Sequence, residues 1–301
     1  MVEALLASEP VCINVCNGAH EAEAREVLNG LPLHRLTFYR IPTNEPWCRD
    51  HGPIFLTRDP AAAGPRLAII DWDYNAWGGK YPPCDFDEVV PTRVGEILGV
   101  PVFYPGMILE GGSIDVNGAG ALLTSESCLL NPNRNPTLGR AEIELRLRDY
   151  LGVTEILWLG DGIEGDDTDG HVDDLARFVR ERTVVTVVEE NRADANFEPL
   201  QKNLARLRAM KWDGGPLEVI TLPMPAKMVR EDLRLPASYA NFYIANESIL
   251  LPTFADPNDT VAETALQKVF PTRRIVPIDC TELIWGLGAF HCLTQQQPAV
   301  S

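Results

Sequence analysis

A cysteine near the C-terminus has the neighbours that a catalytic nucleophile needs. Cys292 follows His291, and the run that contains them begins with Gly286 and Gly288 and continues into polar residues at 294–297. Glycines let a backbone approach a ligand closely, and a thiol held beside polar groups can act as a nucleophile. A lone cysteine beside apolar residues is also often a small buried hydrophobe. The run alone leaves both interpretations open, so the rest of the chain must decide between them.

An acid-rich segment supplies residues that could move protons. His171 and Asp173 lie within the segment 161–174, which contains Asp, Glu and Gly residues throughout. On an extended backbone, residues two apart share a face, and a histidine beside a carboxylate suits general acid/base catalysis. A calcium loop is one alternative, although no bidentate Glu stands at the twelfth position of such a loop. A solvated acidic loop is the other, and the sequence leaves all three interpretations open.

Two further carboxylates stand where predicted strands end. Asp50 lies in the run 47–53, which closes on Gly-Pro, and Glu110 precedes Gly111 and Gly112. Turns at strand ends often hold site residues, but a purely structural turn explains each run equally well. Together with the histidine and the cysteine, these acids form an inventory for attack on a planar cation. A guanidinium is such a cation, because its N–H groups pair with carboxylates and its carbon can accept a thiolate.

Composition limits the class of protein. The chain has 301 residues, 45% of them hydrophobic, and a formal net charge of −17, which repels nucleic acid and anionic membranes and attracts small cations. No run of about 18 apolar residues is present and the first residues lack a basic region, so we expect no membrane span, no signal peptide and a cytoplasmic location. Seven scattered cysteines argue against a disulfide framework and against structural zinc. Cys12 and Cys16 would share one face of a predicted strand and are expected to be buried.

Short β-branched runs alternate along the chain with fewer amphipathic segments. The predicted strands cover 11–15, 37–41, 67–72, 121–124, 155–159, 183–188, 217–221, 242–251 and 274–278. The predicted helices cover 20–28, 88–98, 140–151, 198–210 and 260–270, the last capped by Asp259. This order is too rich in strands for a doubly wound sheet. It favours one domain of small α/β modules arranged radially.

Seven motifs, in order along the chain, resemble the agmatine deiminase family, which is related to bacterial peptidyl-arginine deiminase. They are Trp47 to Pro53, Glu110 to Ser113, Leu129 to Pro136, Thr168 to Asp173, Ala237 to Asn246, Phe254 to Asp259 and His291 to Pro298. The resemblance implies the pentein fold, a five-bladed α/β propeller of pseudo-five-fold ββαβ modules with a central active site. A single pentein catalytic domain is then expected over residues 1–301.

The same resemblance implies an activity and a set of catalytic residues. Members of this family hydrolyse agmatine, a small cationic guanidine, to N-carbamoylputrescine and ammonia in putrescine biosynthesis, through a covalent cysteine adduct and without cofactor or metal. Matched position by position, Cys292 is the nucleophile and His171 the general acid/base. Asp50 and Asp173 match the carboxylates that clamp the guanidinium. Glu110 matches the acid that orients the histidine and contacts the substrate.

Substrate binding involves two further positions in this resemblance. Trp47 is expected to pack along the alkyl chain of the substrate, and Asn241 to support the site. The full expected substrate-binding set is Trp47, Asp50, Glu110, Asp173 and Asn241. Neither nucleic acid nor a membrane is an expected partner, and a homodimer is one of the assemblies that the sequence allows.

The chain departs from the family pattern in three places. Leu287 and Ala289 replace small or polar residues before the cysteine, and Asp169 stands where agmatine enzymes often have Asn. The family usually continues upstream with a segment that contains Trp and Pro, so we expect one blade to be incomplete. These departures bear on the substrate more than on the chemistry.

Three alternatives to agmatine hydrolysis therefore stay open. Peptidyl-arginine or another guanidine could be the substrate of the same chemistry. A non-catalytic pentein that only binds a ligand is a second class, although such a module has no reason to retain all five catalytic residues. A metal hydrolase that uses His171, Asp173 and Cys292 is a third, and no second histidine with ligand spacing stands near them.

Overall fold

The computed structural model describes residues 1–300 as short strands grouped into small sheets. The strands are β1 (Val11–Asn14), β2 (Leu36–Tyr39), β3 (Ile54–Thr57), β4 (Leu67–Ile70), β5 (Val102–Phe103), β6 (Ile114–Val116), β7 (Ala121–Ser125), β8 (Glu155–Leu159), β9 (Ala176–Arg180), β10 (Thr183–Val188), β11 (Lys211–Trp212), β12 (Gly215–Pro216), β13 (Glu218–Pro223), β14 (Val229–Arg230), β15 (Leu233–Arg234), β16 (Tyr243–Ile244), β17 (Ser248–Thr253) and β18 (Arg274–Asp279). No sheet among these residues has more than three strands, which confirms the prediction of small modules.

Helices of very different lengths connect the strands. They are α1 (Val2–Leu6), α2 (Gly18–Val27), α3 (Cys48–His51), α4 (Ala76–Gly79), α5 (Asp85–Glu88), α6 (Val90–Leu98), α7 (Glu126–Leu129), α8 (Arg140–Leu151), α9 (Phe197–Ala209) and α10 (Asn258–Val269). Single 3₁₀ turns occur at Leu33–Arg35, Gly111–Ser113, Val172–Asp174 and Leu283–Gly286. The five longest helices are α2, α6, α8, α9 and α10, and each connects two strands that pair in parallel.

Four sheets share one strand pattern. In each, a first strand pairs antiparallel with the second, and the second pairs parallel with a third that follows one of the long helices. These sheets are β3-β4-β5, β6-β7-β8, β9-β10-β13 and β16-β17-β18. A fifth sheet contains only the parallel pair β1-β2, with Val11 opposite Leu36. A parallel pair requires a long crossover, and the helices supply it.

Local sequence explains where these elements begin and end. The middle strands β7 and β10 are almost entirely buried and consist of small, apolar and β-branched residues, as expected for strands covered on both faces. Helices α6 and α8 end at Gly99 and Gly152, whose φ angles of 64° and 67° lie in the left-handed region that glycine reaches without strain. The side chain of Asn17 accepts hydrogen bonds from the backbone of Ala19 and His20 and so caps α2.

A large apolar cluster joins three of the sheets, β6-β7-β8, β9-β10-β13 and β16-β17-β18. It draws on the middle strands and their neighbours, with Leu159, Val185 and Leu250 all fully buried, and it reaches from Leu5 near one end of the chain to Phe290 near the other. Residues so distant in sequence therefore share one core. Within residues 1–300 no helix has both the length and the apolar character that a membrane crossing requires.

Two predictions of secondary structure are wrong. The run 242–251 is not one strand but the hairpin of β16 and β17, in which Tyr243 lies opposite Leu250. Asp259 does not cap α10 from the flanking position, because the helix begins at Asn258 and Asp259 lies in its first turn. Its carboxylate instead accepts hydrogen bonds from the hydroxyl of Tyr239 and the backbone of Phe254, which ties the helix to the preceding loop.

The expected burial of Cys12 and Cys16 is also wrong. Both side chains are exposed, and β1 ends at Asn14, so Cys16 lies beyond the strand. The apolar run that contains them belongs to the two-stranded sheet, where β1 has no neighbour on one side among residues 1–300.

Candidate active site

The five predicted catalytic residues converge in the interior. Asp50 and Cys292 are 5% and 6% exposed, and Glu110, His171 and Asp173 are fully buried. Three of the segments that carry them share a local design, a single helical turn placed directly before the first strand of a sheet. These turns are α3 before β3, Gly111–Ser113 before β6 and Val172–Asp174 before β9. A short turn of this kind fixes the direction of each acidic side chain through the strand behind it.

Gly112 marks the point where three of these residues meet. A Cβ atom added there would lie 2.5 Å from Nδ1 of His171, 2.7 Å from Oδ1 of Asp50 and 3.2 Å from Oδ2 of Asp173. The backbone N–H of Gly112 donates a 3.0 Å hydrogen bond to Oδ1 of Asp50. Only glycine fits here, because any side chain would displace the carboxylates and the imidazole.

Cys292 lies against an amide and a carboxylate. Nδ2 of Asn241 donates to Sγ of Cys292 over 3.0 Å, and Sγ is 3.6 Å from Oδ2 of Asp173. Oδ1 of Asn241 accepts from the backbone N–H of His291 at 3.0 Å and of Cys292 at 3.3 Å, so one amide holds both the loop and its thiol. Burial, with Asp173 next in effect, raises the pKa of the Cys292 thiol well above its usual range.

The backbone carbonyl of Cys292 is held by the α3 segment. The N–H of Arg49 donates to this carbonyl over 3.0 Å, and Nε of Arg49 donates to the carbonyl of His291 over 3.3 Å. Nη1 of Arg49 also donates to the side chain of Gln295. Arg49 is 4% exposed, and these contacts brace the cysteine loop.

Asp50 and Asp173 each have a second partner that the sequence did not reveal. Nε1 of Trp77 donates to Oδ2 of Asp50 over 2.9 Å. Nδ1 of His291 lies 2.7 Å from Oδ2 of Asp173. Burial raises the pKa of Asp50 well above its usual range, with Asp173 adding to the effect. Burial also raises the pKa of Asp173 to about 7, against the opposing charges of Arg177 and Arg49.

His171 is buried without a hydrogen bond on either ring nitrogen from the described residues 1–300. Its nearest carboxylate within ion-pair distance is Asp50, whose Oδ1 is 3.6 Å from Nδ1, rather than Asp173 as its position two residues away predicted. The reason is that the backbone turns at Val172 into the 3₁₀ turn and does not stay extended. Burial, with the charge of Arg134 next, lowers the pKa of His171 well below its usual range.

Glu110 is held by a buried ion pair. Nε of Arg134 lies 2.7 Å from Oε1 of Glu110, both side chains are fully buried, and Nη1 of Arg134 also contacts Asp169. Oε2 of Glu110 has no hydrogen-bond partner among the described residues. Burial raises the pKa of Glu110, while Arg134 acts in the opposite direction.

Aromatic residues form one wall beside the thiol. Trp47, Tyr74 and Trp77 are buried in a cluster with Cys292. An added Cβ would lie 2.8 Å from Trp47 at Gly286 and 2.5 Å from it at Gly288. These glycines therefore make room for the indole of Trp47, whereas the sequence suggested that they admit a ligand.

The segment 161–174 is neither a solvated loop nor an open calcium loop. His171 and Asp173 are fully buried, and the carboxylate of Asp166 accepts from the backbone of Thr168 and Gly170 over 2.8 and 2.9 Å. The carboxylate of Asp166 therefore closes the turn upon itself. Among residues 1–300, the residues that could share a metal ion are Glu110, Cys128 and His171, which differ from the set proposed for a metal hydrolase.

Three residues of the site were missed by the sequence. They are Trp77, Arg134 and His291, which contact Asp50, Glu110 and Asp173 respectively. Arg134 and His291 lie within motifs that carry the family resemblance, but those motifs do not indicate which acid each residue contacts. Trp77 gave no comparable signal, because its ring reaches Asp50 only through the left-handed backbone at φ 54°.

A model of the Porphyromonas-type peptidyl-arginine deiminase family matches residues 1–298. This chain belongs to that family. Among curated relatives of the family, agmatine deiminase from Pseudomonas syringae pv. tomato is 36% identical over 324 residues, which cover 99% of this chain and 86% of that protein. Agmatine deiminase from Medicago truncatula is 37% identical over 318 residues, which cover 96% of this chain and 84% of that protein.

Solved structures of the family superpose closely on this chain. Agmatine deiminase of Enterococcus faecalis, described as catalysing its reaction, gives a TM-score of 0.91 at 34% identity and covers 99% of this chain and 85% of that one. A Cys-to-Ser variant of the C. jejuni agmatine deiminase with substrate bound gives 0.89 at 32% identity and covers 98% of this chain and 84% of that one. The resemblance drawn from the seven motifs is confirmed, as is an α/β fold of the pentein deiminases.

Proposed function

We propose that this chain is a hydrolase of linear amidines that converts agmatine to N-carbamoylputrescine and ammonia. The observation that carries this proposal is the arrangement of an imidazole and two carboxylates that meet at Gly112, with a thiol 3.6 Å from one of these carboxylates, all of them buried. The names of the relatives at about 37% identity support the substrate. In the proposed roles, Cys292 is the nucleophile, His171 the general acid/base, and Asp50 and Asp173 the guanidinium ligands.

Binding of the guanidinium begins the reaction. Its N–H groups pair with Asp50 and Asp173, whose carboxylates both lie close to Gly112. Oε2 of Glu110 and the free nitrogens of His171 are further groups that this cation can engage. The buried indole of Trp47 packs along the methylene chain in this proposal. Binding in this way holds the guanidinium carbon near Sγ and turns a bimolecular attack into an effectively unimolecular one.

Ammonia leaves in the first half of the reaction. The thiol of Cys292 gives its proton to His171 once the substrate is bound, and the resulting thiolate attacks the guanidinium carbon and forms a C–S bond. His171 donates a proton to one terminal nitrogen, the bond from carbon to that nitrogen breaks, and ammonia departs. A thiouronium adduct on Cys292 remains.

In the second half of the reaction, water hydrolyses the thiouronium adduct. His171, now neutral, accepts a proton from a water molecule as the water oxygen bonds to the carbon of the adduct. The C–S bond then breaks, the electron pair returns to sulfur, and the ureido product leaves. One water is consumed for each ammonia released, so the atoms balance without a cofactor.

Substrate binding also activates the thiol in this proposal. Burial and the acids Asp173 and Asp174 hold the pKa of Cys292 high in the free protein, which disfavours the thiolate. A bound guanidinium brings a positive charge beside the sulfur and so opposes this effect. The Nδ2 donor of Asn241, 3.0 Å from Sγ, stabilises the thiolate that results.

The modules are proposed to form a single domain, a five-bladed propeller around this site. Each of four sheets is preceded by a segment that carries one of the proposed residues, namely Asp50 before β3, Glu110 before β6, Asp173 before β9 and Asn241 before β16. Cys292 follows β18, the last strand. One site residue at each junction is the pattern that pseudo-five-fold ββαβ modules around a central site would produce.

Agmatine is favoured over free arginine because no uncommitted guanidinium lies in the site to pair with a carboxylate. Arg49 is bound to the cysteine loop and Arg134 to Glu110 and Asp169. Ammonia release should be measured with agmatine, free arginine and a blocked arginyl peptide. We expect kcat/KM for agmatine to exceed that for arginine by about a hundredfold, the scale that follows when a buried polar group finds no partner. Equal rates, or a preference for the peptide, would contradict agmatine as the substrate and leave the guanidine chemistry intact.

A further inference from the structure

The side chain of Cys128 lies beside Glu110 and the proposed acid/base His171, and it has no part in the proposed reaction. Cys128 is fully buried at the end of the short helix α7, and its Sγ lies near Glu110 and His171. One ligand atom from each of these three residues lies within 4.8 Å of the other two. Sulfur, nitrogen and carboxylate oxygen together are the donor types that zinc prefers.

Several atoms of this cluster that could bind a metal have no hydrogen-bond partner. Neither ring nitrogen of His171 nor Oε2 of Glu110 has a hydrogen-bond partner within residues 1–300, although all three atoms are buried. Buried polar atoms without partners are costly, and a bound cation would satisfy them. In tetrahedral zinc sites the metal bonds of about 2.0 to 2.3 Å place ligand atoms roughly 3.6 Å apart. Side-chain rotations that bring the atoms closer by about 1 Å would therefore supply three ligands of a tetrahedral site and leave the fourth position to water.

Arg134 already provides the outer support that metal carboxylates usually have. Its Nε binds Oε1 of Glu110 over 2.7 Å and leaves Oε2 of the same carboxylate for a second partner. Hydrogen-bonded outer residues of this kind orient the ligands of metal sites. A thiolate and a carboxylate would neutralise the charge of a divalent ion, so the nearby guanidinium of Arg134 would face a neutral centre.

We propose that Glu110, Cys128 and His171 form an inhibitory site for Zn²⁺. On binding, the metal displaces the thiol proton of Cys128 to solvent and takes one ring nitrogen of His171 as a ligand. No electron transfer occurs, and removal of the metal restores the starting state. Inhibition rests on the proposed role of His171 as acid/base, since a histidine bound to zinc cannot exchange a proton with the leaving nitrogen. Metal binding itself does not depend on that role.

Direct binding is tested first, without turnover. The background is the variant Cys292→Ala with Cys12→Ser and Cys16→Ser, which lacks the proposed nucleophile and the two exposed thiols. Titration with Co²⁺, which mimics Zn²⁺, should give the near-ultraviolet absorption of a thiolate bound to cobalt, and Zn²⁺ should displace it. Adding Cys128→Ser or Cys128→Ala should abolish the band. Adding Cys280→Ser, at another fully buried cysteine, should leave it unchanged.

Three outcomes of this titration would overturn the site. They are absence of a thiolate band in the background variant, a band that survives both Cys128 substitutions, and a band that survives His171→Ala. Two Cys128 substitutions are used so that misfolding of one, visible by circular dichroism, leaves the other to decide the question.

Inhibition is tested second, with each protein compared with its own metal-free rate of ammonia release. Zn²⁺ should inhibit the wild-type protein, a chelator should restore its rate, and Cys128→Ser should weaken inhibition by more than tenfold, since even outer partners of metal ligands contribute roughly 10–100-fold. Equal zinc sensitivity of wild type and Cys128→Ser would mean that zinc acts without Cys128 and would overturn the inhibitory role. If the wild-type protein releases no ammonia, the proposed function fails, while the cobalt titration still decides whether the site exists.

Discussion

At the scale of single residues, the site holds several acids at close quarters and out of water. Burial raises the pKa values of Asp50, Asp173 and Asp174, and the charges of neighbouring acids add to the effect. Such groups ionise together only if a cation joins them. The structure therefore supports a ligand with a positive planar head more directly than it supports any particular remainder of the molecule.

Removing one negative charge from Asp50 and Asp173, the proposed guanidinium ligands, should strongly reduce activity. Asp50→Asn and Asp173→Asn should each remove about 3 kcal/mol of transition-state stabilisation and lower kcat/KM accordingly, because a desolvated guanidinium then lacks one partner. Steady-state ammonia release on agmatine measures this effect. Asp149→Asn is the matched control, since Asp149 is exposed on α8 and should change little. Activity near that of the wild type in either clamp variant would place its carboxylate outside the reaction.

Binding of the guanidinium should depend on pH in a definite direction. The pKa of Asp173 is raised to about 7, so this group carries a proton below that pH in the free protein and contributes stability that is lost as pH rises from about 4 through 7. A cation binds the ionised form. The affinity of Cys292→Ala for agmatine should therefore rise from pH 6 to pH 8, with protons released on binding.

Calorimetry of Cys292→Ala in two buffers of different ionisation enthalpy measures both the affinity for agmatine and the number of protons released on binding. In the absence of ligand, the Tm of the same variant should be lower at pH 8 than at pH 5.5 if the buried acids dominate its pH dependence. Affinity that is constant across this range, with no proton release, would show that the acids are already ionised in the free site.

The chemistry-bearing residues were foreseeable from the sequence, and their contacts were not. Residue types and motif spacing placed Asp50, Glu110 and Cys292 in one expected site, and the structure brings them together. The partner of His171 was predicted wrongly because the turn at Val172 is a tertiary feature. Side-chain pairing between segments more than a hundred residues apart, such as His291 with Asp173, has no local signature.

At the scale of elements, helical turns and glycines aim the side chains. Gly112 stands in the 3₁₀ turn before β6, and its missing side chain leaves the space that His171 and Asp50 occupy. Gly286 and Gly288 do the same for the ring of Trp47. The space left by the missing side chains of these glycines is therefore as necessary to the site as the side chains that fill it.

Adding one methyl group at the centre should disrupt this arrangement. In Gly112→Ala the new Cβ would lie 2.5 Å from Nδ1 of His171 and 2.7 Å from a carboxylate oxygen of Asp50, well inside van der Waals contact. We expect kcat to fall by more than a hundredfold, the scale reported for misplacement by about 1 Å. Gly18→Ala is the control, because the nearest atom to its Cβ is 3.8 Å away at the start of α2. Retained activity in Gly112→Ala would mean that His171 and Asp50 need not meet there.

Long elements were easier to predict than short ones. The amphipathic run Arg140–Leu151 was predicted with its observed bounds, because it carries a full period and ends at Gly152. The first strands of the sheets, β3, β6 and β9, were not predicted at all. Strands of three to five residues give too few alternations to distinguish them from turns, and the hairpin at Tyr243 was hidden in a continuous apolar run.

At the scale of the whole molecule, the net charge of −17 affects how readily a cationic substrate reaches the protein rather than the catalytic steps themselves. A negative field raises the local concentration of cations and falls with ionic strength. Agmatine carries two positive charges, whereas butylguanidine has the same chain with only one.

The two ligands should therefore respond differently to salt. We expect kcat/KM for agmatine to fall more steeply than that for butylguanidine as ionic strength rises from about 0.02 to about 0.5 M, where the screening length shortens several-fold. Initial rates of ammonia release over a salt series measure the two slopes. Identical slopes would show that the distal ammonium does not sense the field of the protein.

The central claim is that Cys292 forms a covalent bond to the guanidinium carbon of agmatine. The most direct measurement is acid quenching of the protein during turnover, followed by digestion and peptide mass mapping, with His171→Ala included to slow release of the adduct. The account predicts a mass increase equal to agmatine less ammonia on the peptide that contains Cys292, and on none that contains Cys48, Cys128 or Cys280. An adduct on one of those three cysteines, or ammonia release with no adduct on Cys292 in either protein, would contradict it.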